Sequence, residues 1–247
     1  VGEQAVSQFS AEVIMPIHRR SLLLGLAALP LVASLRPVIA QEAPVVIPSP
    51  AQDLTETGST AKAILAGGCF WGVQGVFQRV KGVTSAVSGY SGGSAETATY
   101  EQTGRGDTGH AETVEITYDP GQISFGTLLQ IYFSVAHNPT QLNYQGPDHG
   151  TQYRSTIFVT SPDQEAVAKA YIAQLDSAGL FEGPIVTTLE QFKAFYPAEQ
   201  YHQDFLTLNP EWPYIVVHDL PKVAALEQIF PDHFRADPVL VGTLPAA

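Results

Sequence analysis

The feature that most constrains this chain is a short apolar run at residues 62–66 that breaks at Gly67-Gly68 and gives way to helical spacing of Phe70, Val73, Val76, Phe77 and Val80. An extended run passing into a period of about 3.6 marks a strand that feeds a helix. The glycine pair lets the chain turn sharply between them, and Gly82 closes the helix after Lys81. At the junction stands Cys69, the only cysteine in 247 residues. The first N–H groups of a helix lack intrahelical partners and the helix dipole favours an anion there, so the position suits a thiolate nucleophile. A lone cysteine is more often a small buried core residue. The glycine pair, and the aromatic surface of Phe70 and Trp71 beside the sulfur, tip the balance toward reactivity.

Residues 83–90, 113–118, 155–160 and 185–190 read as further strands, and 124–135, 164–176 and 198–206 as helices. Their alternation implies a single α/β or α+β domain with helices packed on a sheet. After Asn209 several prolines and little periodicity suggest a tail wrapped over the core. Along 111–118, Val114, Ile116 and Tyr118 share one face while Thr113, Glu115 and Thr117 share the other, which puts Glu112 on the apolar side and Glu115 toward solvent. A carboxyl held among apolar neighbours keeps its proton to higher pH and can act as a general acid. At a frayed strand end it would simply be solvated, and the pattern alone leaves both readings open.

The formal charge is −12 with no basic cluster beyond Arg19-Arg20, so the electrostatic footprint of nucleic-acid binding is missing. The G-x-G-x-x-G match at 104–109 leads into a strand, not a helix, which removes the dinucleotide-binding geometry. His110, His137, His149, His202, His218 and His233 show no zinc-like spacing and for the most part read as surface or capping residues, so no metal is expected. Two competing functions use the same residues. One is a cysteine hydrolase pairing Cys69 with His110, His137 or His202; the other is a non-catalytic peptide-binding module built on Phe70 and Trp71.

Near the N-terminus, His18-Arg19-Arg20 precede an apolar run at 22–35 and then Val38-Ile39-Ala40, the order of an export signal with cleavage expected after Ala40. The run is shorter than the ~20 residues of a membrane span and Pro30 interrupts it. Arg19-Arg20-Ser21-Leu22-Leu23 partly fits a twin-arginine signal. Residues 1–14 lack signal features and are read as carrying no function, with the true start in question at Met15. The expected organisation is an export region at 1–40, a flexible linker at 41–60, a catalytic domain at 61–235 and a tail at 236–247. The mature product is expected to be periplasmic and monomeric, with no permanent membrane span.

Gly67-Gly68-Cys69-Phe70-Trp71-Gly72 resembles the catalytic signature of the A-type peptide methionine sulfoxide reductases. Ser88-Gly89-Tyr90-Ser91-Gly92-Gly93, Thr108-Gly109-His110-Ala111-Glu112, His137-Asn138-Pro139-Thr140-Gln141, Asp148-His149-Gly150-Thr151-Gln152-Tyr153-Arg154-Ser155 and Glu199-Gln200-Tyr201-His202-Gln203-Asp204 are similar to further family motifs, in the family's order. The resemblance implies an α/β (α+β) two-layer sandwich with a mixed β-sheet and flanking helices, ferredoxin-like. It implies reduction of methionine-S-sulfoxide, free or in oxidised proteins, with no metal or organic cofactor. By position it makes Cys69 the nucleophile and Glu112 the acid, gives Tyr100 and Tyr153 the sulfoxide oxygen, makes Phe70 and Trp71 the walls for the substrate methyl, and has Asp148 organise the site. Many family members carry further cysteines that resolve the sulfenic acid, whereas this chain has one. An external thiol, a thioredoxin-like protein or glutathione, is therefore expected as reductant.

Overall fold

A computed structural model describes residues 44–242. The expected export region lies outside the described residues. Strand β1 (Ala61–Gly67) leads through Gly68 and Cys69 into helix α1 (Phe70–Phe77), and β2 (Val83–Ser91) follows. A short helix α2 (Tyr100–Thr103) precedes β3 (Ala111–Tyr118) and α3 (Phe125–Ile131), which continues as a π turn over Tyr132–Ala136. Then come a small hairpin, β4 (Tyr144–Gln145) and β5 (Asp148–His149), strand β6 (Ser155–Val159) and helix α4 (Pro162–Ala178). The chain ends through β7 (Thr188–Gln191), β8 (Phe195–Pro197), α5 (Phe205–Leu208), a second π turn at Ile215–Asp219 and α6 (Leu220–Ile229).

The large sheet runs β7-β6-β1-β3-β2-β8. Only the β6–β7 pair is parallel, so the sheet is mixed as expected. Strand parity divides its faces: Ala63 and Leu65 join the main core with Val73, Phe77, Leu128, Leu129 and Tyr171 from the helices, while Ile64 and Ala66 form a smaller cluster with Ala111 and Phe158. Helices thus cover one face, giving the two-layer α/β arrangement.

Three sequence expectations change. The segment expected to be a flexible linker at 41–60 is, from residue 44, laid over the helices: Val45 N–H donates to the Ser134 carbonyl (3.1 Å), and the carbonyls of Ile47, Pro48 and Ser49 accept from Gln130, Tyr171 and Gln174. Ile47 is buried. An extended strap held through its carbonyls has no side-chain period, so the sequence pattern passed it over. Beyond Asn209 the wrapped tail contains α6, whose Leu226 packs in the core. Among the histidines, His110, His137 and His202 are buried, not surface residues, because each ring has polar partners that offset its desolvation.

Candidate active site

The strand, turn and helix that open the domain place Cys69 at the N-cap of α1, nearly buried at 9% exposure. Gly68 makes the turn with φ of +88°, a conformation that side-chain-bearing residues seldom adopt. Its α-carbon lies against Gln145, whose amide is locked to Asn138 by two hydrogen bonds of 2.9 and 2.8 Å. The β4–β5 hairpin carrying Asp148 is thereby pressed against the turn.

Strand β3 brings Glu112 to the same place. β1 pairs with β3 as far as Val114, and Glu112 lies beyond that pairing, opposite Tyr90 of β2. Its Oε2 accepts the Phe70 N–H at 3.0 Å, one of the amides left unpaired at the start of α1. The carboxyl is 4% exposed, which decides between the two sequence readings in favour of burial. Desolvation lifts its pKa from 4.5 to about 8, against the pull of the Phe70 N–H and with help from Asp148 and Asp219. Glu115, on the other face, is paired with Lys62 at 2.8 Å.

Burial also changes the expectation for Cys69. Desolvation, then the charges of Glu112 and Asp219, push the thiol well above its ordinary value, and the Trp71 N–H only partly opposes them. The helix start does not by itself make a resting thiolate here, because a nearly buried sulfur beside carboxylates loses more than the dipole returns.

Around these two groups the structure gathers the other expected residues. The phenols of Tyr100 and Tyr153 are raised first by burial and then by Glu112, with Cys69 and Asp148 also contributing, so both lie in the field of the nucleophile and the acid. Their segments are tied together, since Thr151 Oγ1 donates to the Gly106 carbonyl (2.6 Å) and Gln152 Nε2 to that of Gly104 (3.3 Å). Phe70 is buried against Tyr90 and His202. Trp71 stacks on Phe205 at 3.8 Å, and its indole N–H donates to His202 Nδ1 at 3.1 Å. That bond requires a neutral imidazole, and desolvation lowers His202 to about 4.

Two residues at the site escaped the sequence reading. Tyr214 donates its hydroxyl to Asp148, and Asp219 is wholly buried with Lys222 Nζ 3.3 Å from Oδ1. A methyl group on Gly72, in the first turn of α1, would collide with that carboxylate. Burial raises Asp219 to about 6, so it carries charge at neutral pH and opposes a Cys69 thiolate. Asp219→Asn is therefore expected to move the pH profile of Cys69 alkylation by iodoacetamide to lower pH; an unmoved profile would exclude this electrostatic link.

Among the described residues no imidazole is hydrogen-bonded to the sulfur: His110 bonds Gly93 and Ser94, His137 bonds Tyr132 and Thr187, and His202 holds Trp71. The thiol-protease pairing accordingly has no base. A protonated carboxyl and a thiol, with two phenols in their field, suit a substrate whose oxygen must be protonated as its neighbouring atom is attacked.

Comparison with known proteins gives the same chemistry. A family model described as peptide methionine sulfoxide reductase matches residues 61–233. The chain is 68% identical over 179 residues to peptide methionine sulfoxide reductase MsrA 2 of Mesorhizobium japonicum, covering 72% of this chain and 92% of that one. It is 51% identical over 195 residues to the protein of the same name from Synechocystis, covering 77% and 91%. Among solved structures, reduced Mxr1 from Saccharomyces cerevisiae superposes with a TM-score of 0.57 at 32% identity, covering 68% of this chain and 96% of that one. Methionine sulfoxide reductase A of Corynebacterium diphtheriae gives 0.53 at 35%, covering 65% and 81%. With its strand, helix and buried acid placed as described, this chain belongs to the peptide methionine sulfoxide reductase family.

Proposed function

We propose that this methionine sulfoxide reductase acts on the S epimer, with Cys69 as nucleophile and Glu112 as the acid that protonates the sulfoxide oxygen. The observation that carries the assignment is the buried Glu112 carboxyl, 3.0 Å from the N–H next to Cys69 and holding its proton up to about pH 8. A sulfoxide sulfur becomes electrophilic as its oxygen gains a proton, so acid and thiol act in one step. Sγ bonds to the substrate sulfur as Glu112 protonates the oxygen; the oxygen then moves from that sulfur to Sγ as the Sγ–S and S–O bonds of the substrate sulfur break. The thiol proton returns Glu112 to its acid form. The products are methionine and a Cys69 sulfenic acid, with the substrate sulfur reduced and Cys69 oxidised by two electrons. Tyr100 and Tyr153 bond the sulfoxide oxygen, Phe70 and Trp71 receive the methyl group, and Asp148, bonded by Tyr214, holds the hairpin side of the site.

Because the chain has one cysteine, the sulfenic acid is returned by outside thiols. One thiol forms a mixed disulfide and releases water, and a second releases Cys69 and leaves with the first as a disulfide. A thioredoxin-like protein or glutathione has the required chemistry. The Arg19-Arg20 pair and the apolar run after it support export to the periplasm by a folded-protein route with cleavage after Ala40. Oxidised exported proteins would then be the substrates for repair.

Offering each sulfoxide epimer of a methionine peptide tests this reading. The S epimer is expected to be consumed to one equivalent without thiol and continuously with dithiothreitol, and Cys69→Ser is expected to consume none. Consumption of the R epimer instead, or continuous turnover with no thiol present, would sink it.

A further inference from the structure

The reduction step gives no part to Glu199, yet both oxygens of its carboxylate are committed. Oε1 accepts the backbone N–H of Tyr100 at 2.9 Å, and Oε2 accepts the Tyr90 hydroxyl at 2.9 Å. Tyr100 opens the four-residue helix α2, so its N–H has no partner within that helix. The Thr99 hydroxyl caps α2 at Gln102, accepting its backbone N–H at 3.4 Å and its side-chain amide at 3.3 Å, and so leaves the Tyr100 N–H to Glu199. Tyr100 is 41% exposed, and its ring rests on the His202 ring at 4.5 Å. Tyr90, by contrast, is fully buried against Phe70.

The anchor itself is rigid. Strand β8 pairs with β2, Ala198 N–H donates to the Ser88 carbonyl at 2.8 Å, and the Gln203 amide donates to the carbonyls of Ser88 and Ala198 at 2.9 and 3.0 Å. Although burial raises the Glu199 pKa, the bonds from Tyr100 N–H, its own N–H and Tyr90 outweigh it, and the group stays charged. Hydrogen bonds to an ionised acceptor are shorter and stronger than neutral ones.

We propose that Glu199 is a positioning residue for the reduction step: by bridging the Tyr90 hydroxyl and the Tyr100 backbone, it sets the Tyr100 phenol where it meets the sulfoxide oxygen. The proposal rests on the role given to Tyr100 above and extends it to a residue that touches no substrate. Tyr90, one strand inside, becomes the fixed point against which the more exposed phenol is held.

Single-turnover reduction of a methionine-S-sulfoxide peptide by the full chain tests it with Glu199→Ala, Glu199→Gln, Tyr100→Phe and the Tyr100→Phe/Glu199→Ala pair. Glu199→Ala is expected to slow the reduction step about tenfold with little change in the half-saturating peptide concentration. Glu199→Gln, which keeps one acceptor, recovers most of the rate. With Tyr100→Phe already present, Glu199→Ala costs nothing further, because both changes act through one hydroxyl. Losses that multiply in the double variant, or a rise in half-saturation with an unchanged limiting rate, would overturn the proposal. If Glu199→Ala fails to fold, Glu199→Asp, one methylene too short to reach both the Tyr100 N–H and the Tyr90 hydroxyl, runs the same cycle with the same expected loss. Should Tyr100→Phe itself leave the rate unchanged, this inference falls, while the roles of Cys69 and Glu112 still stand or fall on their own epimer test.

Discussion

Glu112→Gln is expected to lower the rate of sulfoxide reduction by about a thousandfold, the range typical of a lost general acid, while making the folded protein more stable at neutral pH. The two effects share a cause. In the folded chain the carboxyl keeps its proton up to about pH 8, whereas in the unfolded chain it ionises near its ordinary 4.5. Its neutral form is therefore fully compatible with burial below about pH 4.5, and stability is lost as pH rises from there to about 8, where the folded protein must bury the charge or hold a proton the unfolded chain has released. A shift from 4.5 to about 8 corresponds to on the order of 5 kcal/mol. Glutamine keeps an oxygen for the Phe70 N–H and never ionises. The melting temperature of the variant should thus exceed the parent's by an amount that grows between pH 5 and 8, reaching several degrees. A constant difference across that range would mean that the parent acid is already ionised, and would remove the physical basis for its role.

The second large effect is structural. Gly68→Ala adds a methyl group 2.6 Å from Gln145 Cβ and 2.7 Å from Cγ, at a backbone φ of +88°. Gln145 has no freedom to retreat while both ends of its amide are bonded to Asn138. Left-handed strain and overpacking together should destabilise the domain by about 3 kcal/mol. Urea unfolding measures this directly, and a loss below about 1 kcal/mol would show that the hairpin yields easily. The surviving folded fraction should also react more slowly with substrate, because the same shift displaces Asp148 relative to Cys69.

The part of this site that was legible in the sequence is the part built on regular spacing. The strand, glycine turn and helix announced where Cys69 would stand, and alternation along β3 put Glu112 on the apolar side before any partner was known. Tyr100 and Tyr153 were reached only through family likeness, since they sit on a four-residue helix and a 3-10 turn with no period to read. Asp219 and Tyr214 were missed, although a signal existed: Pro221 in the first turn of α6, followed by Val223, Leu226 and Phe230, is the pattern of a helix start. The buried histidines were misread because polarity is a poor guide to burial when a ring nitrogen finds a partner, as both do in His110 and His137 and as Nδ1 does in His202. The raised pKa of Cys69 was not legible for a related reason, since a helix start is a local property whereas desolvation depends on everything packed around it.

The strap at the front of the domain changes where the enzyme can be said to begin. The family model begins at Ala61, yet Asp53 Oδ1 accepts the Gly126 N–H in the first turn of α3, and Glu56 accepts the hydroxyl of the buried Tyr118 at the far end of the strand that carries Glu112. A chain cut at the start of the family model would strip the outer lining from α3 and α4 and leave the Tyr171 hydroxyl without the Pro48 carbonyl it now meets. If the chain is exported and trimmed after Ala40, as proposed above, the cut falls just ahead of this strap. Maturation would then spare a piece of chain that belongs to the enzyme's body and not to its address label.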